Sequence, residues 1–238
     1  MSAPTMTRRL FLRSAAALTV SILLALPPAQ AAPEPDTPAS ADAQAVADVL
    51  AKVSAAYADV VTVRVALTQT SSGPSYFEPL VQSGSFVVQR PDRVRWELSG
   101  AGVTNTWISD GSTLWVVQPA EKTVQVFKHV ALGIQRYIGF LSGLSGVEED
   151  FTVALVPSGA EAVAGRTVLR LSPRERDEQL KAIHVQLDAQ HRVVGVVLLS
   201  PFGDRTDMQL SDLRLDATAG DESFRWVPQE GWHVVAMD

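Results

Sequence analysis

The chain contains no cysteine, few histidines, and fewer basic than acidic residues. Its 238 residues include 4 His, 20 Lys and Arg and 26 Asp and Glu, which gives a formal net charge of −6. Without cysteine it can form no disulfide, thiolate nucleophile, zinc–thiolate centre, iron–sulfur centre or lipid-modified cysteine. The acidic balance argues against a nucleic-acid-binding protein, which needs a basic face. The length fits one large domain or two small ones.

The sequence also lacks the common catalytic and metal-binding patterns. No two histidines are spaced by three or four residues, as two metal ligands on one helix face would be. Residues 143–146 lack the spacing of a nucleophile elbow, and the glycines at 100 and 102 precede a predicted strand, unlike those of a phosphate-binding loop. Carboxylates are plentiful, so a glycosidase pair stays open. These patterns favour a binding protein without metal or cofactor over an enzyme. The histidines are His129, His184, His191 and His233.

Residues 1–31 have the pattern of a cleaved export signal. Three arginines between residues 8 and 13 precede a short apolar run at 18–26 and an Ala-Gln-Ala cleavage pattern at 29–31. The apolar run is too short to span a membrane, so we expect cleavage after Ala31 and a periplasmic protein. Two adjacent arginines also fit the twin-arginine pattern, and both this route and the general secretory route stay open.

The remainder of the chain is predicted to form one domain. Residues 32–39 are rich in proline and alanine and are predicted to be a disordered tail. No interior linker, composition shift or second apolar stretch of spanning length follows, so residues 40–238 are assigned to a single domain.

An amphipathic helix of about 18 residues is predicted to open this domain. Its N-cap is predicted at Ser40 or Asp42. Such a helix must place its apolar stripe against another apolar surface. The stripe consists of residues at helical spacing, namely Val46, Val49, Leu50, Val53, Tyr57 and Val60.

Alternating apolar residues predict about eleven short strands after the helix. In the clearest one, Val94, Trp96 and Leu98 face one side and charged residues face the other. Asp110-Gly111 lies between two strands and predicts a hairpin, because both residue types tolerate positive φ.

The last long strand contains a break in its alternation. Met208 and Leu210 share a face with Leu213 and Leu215 only if the strand has one extra residue between them. The sequence therefore predicts a β-bulge near residues 211–212.

Residues 130–146 interrupt the strands with an apolar segment. The segment is apolar almost all round, so it must be covered, and its four glycines make it a poor autonomous helix that can bend. It is predicted to be a lid helix. The lid residues are Leu132, Ile134, Tyr137, Ile138 and Leu141.

The predicted fold is mainly β with helices. A single curved antiparallel sheet of about eleven strands forms an incomplete barrel, which the N-terminal helix and the central apolar lid helix close. A barrel interior too wide for its own side chains holds a cavity for an apolar ligand. The pattern alone does not separate such a cavity from a filled core.

Four motifs, in this order, resemble the LolA family of periplasmic outer-membrane lipoprotein carriers. They are a strand that starts at Gly84 and ends in Arg-Pro at 90–91, the Arg-Trp-Glu of 95–97, the Ser-Asp-Gly-x-x-Leu-Trp hairpin of 109–115, and the Phe-x-Trp-x-Pro of 224–228. The opening helix and Thr68-Gln69 fit as well, so the resemblance covers about residues 45–235.

The resemblance implies an incomplete barrel whose cavity holds the acyl chains of lipoproteins. It implies that cargo comes from an inner-membrane lipoprotein-releasing ATP-driven transporter and goes to an outer-membrane lipoprotein receptor where one is present. The receptor shares the fold but is itself a lipoprotein, a role that a chain without cysteine cannot fill. The carrier is expected to be a monomer that binds no nucleic acid.

The resemblance also implies site residues. The acyl-chain cavity is expected at Val94, Trp96 and Leu98, with Leu114 or Trp115 nearby. Arg90, in the Arg-Pro motif, is expected to latch the lid, because the family's arginine bonds lid backbone in the closed form and a guanidinium offers five donors. Two alternatives stay open: an envelope lipid- or glycolipid-binding protein, and a non-enzymatic envelope stress sensor with the same fold.

Overall fold

The computed structural model describes residues 38–128, 143–144, 146–157 and 163–237. The predicted export signal lies outside these ranges. The predicted lid residues also lie outside them, namely Leu132, Ile134, Tyr137, Ile138 and Leu141.

The N-terminal helix, α1 (Pro38–Ala56), carries the predicted apolar stripe. It begins at Pro38, so it includes two residues predicted to be disordered, and Ser40 and Asp42 lie inside it rather than at its N-cap. Proline suits a first helical turn because its φ is already near the helical value and its missing N–H has no partner to lose there. The stripe continues past the helix end in a turn, in which the Val60 N–H donates to the Tyr57 carbonyl at 3.2 Å.

In the described part of the chain, twelve strands form one sheet. A single-turn helix at Val147–Asp150 precedes β7, and 3-10 turns occupy Pro119–Glu121 and Asp221–Phe224. The strands are β1 (Thr62–Ser72), β2 (Leu80–Gln89), β3 (Arg93–Gly100), β4 (Val103–Ser109), β5 (Thr113–Gln118), β6 (Thr123–Lys128), β7 (Phe151–Leu155), β8 (Thr167–Pro173), β9 (Ala182–Leu187), β10 (Val193–Leu199), β11 (Arg205–Leu215) and β12 (His233–Met237).

The strand order is β12-β6-β5-β4-β3-β2-β1-β11-β10-β9-β8-β7. The chain enters at the centre, builds one half outwards to β6, and then builds the other half from β7 inwards until β11 pairs with β1. The outermost strands, β12 and β7, do not pair with each other, so the curved sheet does not close into a barrel. This confirms the predicted mainly β, incompletely closed fold.

The sheet differs from the prediction in one strand. The described residues form twelve strands, and β12 pairs with β6 in parallel, so the sheet is mixed rather than wholly antiparallel. The connection from β11 to β12 carries the chain from the centre of the sheet to the edge beside β6, where β12 pairs in parallel.

The predicted bulge in β11 is confirmed. The pairing of β1 with β11 shifts register between Arg64 and Ala66, and Asp212 opposite this point has a φ of 51°. The shift keeps Leu210 and Leu213 on the same face, against the same cluster of apolar side chains. One extra residue thus preserves the apolar face along the whole strand.

Strands β2 and β3 approach each other closely at Gly84. A Cβ at this position would overlap the backbone carbonyl of Glu97 on β3. The glycine that opens the Arg-Pro motif is therefore required by the spacing of these two strands.

Alternation gives the sheet two faces. The face on which α1 packs, here called the helix-side face, includes Val63, Leu169 and Ile183, which cluster with Val53 and Tyr57. The opposite face is called the outer face.

In the part of the chain that the structure describes, no helix has both the length and the apolar composition needed to cross a membrane.

Candidate functional site

The helix-side face is an apolar surface that runs across the sheet. Directly paired residues share a face, so the register identifies its members strand by strand. Two clusters form it, one beneath α1 on β7–β11 and the start of β1, and one on β1–β3, and Trp96 packs against both. Their buried members on the strands are Val63, Val65, Leu67, Phe86, Val88, Val94, Leu98, Phe151, Leu169, Leu171, Ile183, Val185, Leu187, Val193, Val196 and Met208.

Trp96 lies between the two clusters. Its ring meets Phe86 of β2 edge-on, with centroids 6.0 Å apart and an interplanar angle of 82°. On its other side the ring of Trp107, from β4, is tilted by 39° at 5.2 Å. The Trp96 indole N–H is buried and has no hydrogen-bond partner among the described residues.

The other predicted cavity residues divide between the two faces. Val94 and Leu98 are each 3% exposed on the helix-side face, beside Trp96. Leu114 pairs with Ser109, which pairs with Val94, so Leu114 shares this face. Its neighbour Trp115 therefore lies on the outer face. Contact with a ligand stays a prediction for the residues of the helix-side face.

Trp115 takes part in a separate cluster on the outer face. It packs against Ile108, Val117 and Val124, together with two tryptophans from the C-terminal segment. These two, Trp226 and Trp232, contact each other with centroids 5.7 Å apart. The register thus excludes Trp115 from the surface around Trp96, and of the two predicted alternatives only Leu114 belongs to it.

Arg90 lies directly after β2, and its side chain reaches the end of the predicted lid segment. Its backbone N–H donates to the Val61 carbonyl at 2.9 Å, which ties the strand end to the start of β1. A Cβ built at Gly143 would be 3.3 Å from Nη2 of Arg90 and 2.7 Å from Cβ of Tyr57. Gly143 has a φ of 105°. A side chain at Gly143 would therefore overlap Tyr57 and crowd the Arg90 guanidinium.

Burial and one hydrogen bond hold the Tyr57 side chain in place beside Gly143. The ring is 1% exposed, and its hydroxyl accepts a hydrogen bond from the Val193 N–H at 3.0 Å. Burial raises the pKa of Tyr57 above its ordinary value, more than the Val193 hydrogen bond lowers it. The sequence placed Tyr57 only on the helix stripe, because periodicity carries no information on the distant β10 backbone.

Residues 58–227 match a family model described as "Outer membrane lipoprotein carrier protein LolA". This chain belongs to the LolA family. The matched residues include the strands around Trp96 and the Arg90–Gly143 contact, whereas α1 and β12 lie outside them.

Two curated relatives of this LolA-family chain match 80% and 95% of its length. An outer-membrane lipoprotein carrier protein from Methylibium petroleiphilum is 26% identical over 191 residues, which cover 80% of this chain and 91% of the relative. One from Halorhodospira halophila is 28% identical over 227 residues, covering 95% and 96%. A conserved protein from Thermus thermophilus has a similar fold, with a TM-score of 0.50, 12% identity, and coverage of 82% of this chain and all of that one.

In this LolA-family chain the apolar surface continues to the edge of the sheet as a groove. The groove has a volume of about 620 Å³ and lies where the N-terminal half of α1 crosses β7. Val153 and Leu155 of β7 and Val46 of α1 supply its apolar walls. Its volume falls within the range of roughly 300–1,000 Å³ that is typical of small-ligand pockets. The placement of α1 over β7 depends on tertiary packing, so sequence alternation could not predict this groove.

The described ranges hold no group of three or more His, Asp or Glu side chains that could bind a metal ion.

The ionisable groups with shifted pKa values outside the helix-side face are hydrogen-bonded within loops. Burial raises the pKa of Asp110, but hydrogen bonds from the Ser112 and Thr113 backbone outweigh it and lower the pKa below 3.8. This carboxylate accepts the two N–H groups at 2.9 and 2.8 Å and so fixes the predicted Asp-Gly hairpin.

Proposed function

We propose that this chain is a periplasmic carrier that binds the acyl chains of lipoproteins on the helix-side face and shuttles them from the inner to the outer membrane. The observation that carries the proposal is the continuous apolar face around Trp96 in a member of the LolA family. Two relatives named as outer-membrane lipoprotein carriers match 80% and 95% of the chain, which supports the same cargo class.

Binding of this kind rests on apolar burial. Each buried CH₂ contributes about 0.8 kcal/mol, so one sixteen-carbon chain contributes roughly 12 kcal/mol. Full burial of several chains would exceed the practical affinity limit of about 18–21 kcal/mol, and the carrier could not release its cargo. The site must therefore bury the chains only in part, or the free energy of binding must be partly offset by the cost of opening the predicted lid.

The position of Arg90 beside Gly143 supports its proposed role of holding the predicted lid closed. Gly143 lies near the end of the predicted lid segment, and the Arg90 guanidinium lies beside the position that a side chain at Gly143 would take. Charged donors stabilise such contacts by about 1.5–3 kcal/mol each, enough to favour the closed empty form and still yield to cargo. In this scheme Arg90 favours release, because the closed form re-forms when the acyl chains leave.

The proposed partners follow from the carrier role. An inner-membrane ATP-driven transporter supplies the lipoprotein, and an outer-membrane lipoprotein receptor accepts it where such a receptor is present. The carrier acts as a monomer and performs no covalent chemistry.

Native mass spectrometry of the protein purified from its own periplasm tests the proposal. Co-purification of an acylated lipoprotein at one copy per carrier, lost when the lipoprotein cannot be acylated, is the expected result. A recurrent free lipid in place of a lipoprotein would contradict the proposed cargo.

A further inference from the structure

The helix-side face around Trp96 carries one polar hydrogen that the described residues leave without an acceptor. The Nε1–H group of Trp96 is buried from solvent, although the ring as a whole is only partly buried. The cluster around it on β1–β3 consists of Val, Leu and Phe side chains, which offer no acceptor. A buried donor without a partner is rare in native proteins and calls for an explanation.

The orientation of this N–H group is fixed by its neighbours. Phe86 meets the ring edge-on, and Trp107 covers it at 5.2 Å. Cross-strand pairing holds both neighbours directly opposite Trp96 in the sheet. The indole is therefore a preorganised donor, which gives up little rotamer freedom when an acceptor arrives.

The ligand class of the proposed function brings one acceptor into this surface. An acyl chain is hydrocarbon except for the ester or amide carbonyl at its head. A carbonyl that enters an apolar site without a donor loses its hydrogen bond to water. The carbonyl and the indole N–H thus satisfy each other, and neither needs another polar group on this face.

We propose that the Trp96 indole N–H donates a hydrogen bond to the carbonyl oxygen of an acyl chain bound on the helix-side face. The site then prefers acyl lipids to alkyl-ether lipids of the same length. This inference rests on the proposed function, because it assumes that acyl chains bind beside Trp96. It assigns to Trp96 a specificity role that its apolar surface alone does not provide.

Isothermal titration calorimetry with two matched probes tests this assignment. The probes are dioctanoyl phosphatidylcholine and its dioctyl-ether analogue, which lacks only the carbonyl oxygens, each used below its micelle concentration. We expect the wild-type chain to bind the ester about fivefold more tightly, equivalent to about 1 kcal/mol. In Trp96→Phe, which keeps an aromatic ring without the N–H, the affinity ratio should fall to about one.

Trp115→Phe is the matched control, because it removes an indole N–H from the outer face, away from Trp96, and should keep the ratio near five. Indole N–H signals in a nitrogen-15 NMR spectrum supply a second readout on the unmodified chain. Its 5 tryptophans give few signals, and the one absent from Trp96→Phe belongs to Trp96. This signal should shift downfield with the ester and much less with the ether.

Two outcomes would overturn the inference in different ways. Equal affinity of the wild-type chain for both lipids, or an unchanged ratio in Trp96→Phe, would reject the hydrogen bond and leave the carrier function standing. Failure of both lipids to bind would reject the acyl-chain site itself, and the inference with it.

Discussion

Removal of the Tyr57 hydroxyl should destabilise the fold at the point where α1 joins the sheet. The oxygen accepts a hydrogen bond from the Val193 N–H at 3.0 Å, and both residues are 1% exposed. Tyr57→Phe keeps the ring that packs beside Gly143 but leaves the Val193 N–H without this acceptor. Water cannot replace the oxygen without opening the packing around the ring.

The size of the effect follows from this burial. A buried donor left without a partner costs about 1–3 kcal/mol, so we expect a loss of about 2 kcal/mol in the free energy of unfolding. For a domain of this size, each kcal/mol lowers Tm by roughly 2–4 °C, which predicts a fall of about 4–8 °C. Because burial raises the pKa of Tyr57, the phenol is neutral from pH 6 to 9 and the loss should be constant over that range.

Urea unfolding followed by circular dichroism measures the effect. The midpoint should fall in Tyr57→Phe while the slope m stays unchanged, since the same surface is exposed on unfolding. Tyr76→Phe, in the loop between β1 and β2, is the matched control and should leave the midpoint within error. A change below about 0.5 kcal/mol in Tyr57→Phe would refute the reasoning, because that range is typical of surface substitutions.

Three further predictions concern the latch, the lid and a buried acid. Arg90→Leu should fold and accept acylated cargo but pass it to an outer-membrane acceptor at least tenfold more slowly. Arg93→Leu is the control and should transfer cargo at the wild-type rate. A wild-type transfer rate in Arg90→Leu would reject the latch. Amide hydrogen exchange should be faster in residues 132–144 than in β3 and should slow when cargo binds; equal exchange in both segments, with or without cargo, would instead indicate a static core helix. Burial raises the pKa of Asp188, but hydrogen bonds from the side chain and backbone of Arg192 lower it below the ordinary value of 3.8. Its charged form therefore stabilises the fold above that pH, and the difference in unfolding free energy between wild type and Asp188→Asn should shrink as the pH falls below about 4.

Side-chain alternation predicted the sheet well, because the period of two is a local property of each strand. The β11 bulge shows how far this reasoning extends. Four apolar residues of one strand had to share a face, and only an extra residue near Asp212 allowed it. The same logic placed Val94, Trp96 and Leu98 together on the helix-side face.

Pairings that join distant parts of the chain could not be predicted this way. The parallel pairing of β12 with β6 depends on the path of the preceding connection, which leaves no periodic signal in either strand. Alternation also could not decide between Leu114 and Trp115, because adjacent residues point to opposite faces and both are apolar. The inter-strand register settled this choice.

The position of Arg90 beside Gly143 could be predicted from the sequence only in part. The Arg-Pro motif suggested that Arg90 reaches the lid, but only by resemblance to a family. The space between Arg90 and Tyr57 explains why a glycine stands at residue 143, since any side chain there would displace one of them. Sequence spacing alone did not link these three residues, because they come from separate elements that tertiary packing brings together.

The most direct test of the account compares two adjacent positions of β5 that face opposite ways. Val116 pairs with Trp107 on the helix-side face, whereas Trp115 pairs with Ile108 on the outer face. A photo-reactive benzoylphenylalanine placed at either position is irradiated with an acylated lipoprotein bound, after circular dichroism shows that both variants fold. The account predicts a covalent adduct on the acyl chains from position 116 and none from position 115. Equal labelling from both positions, or labelling from position 115 alone, would contradict it.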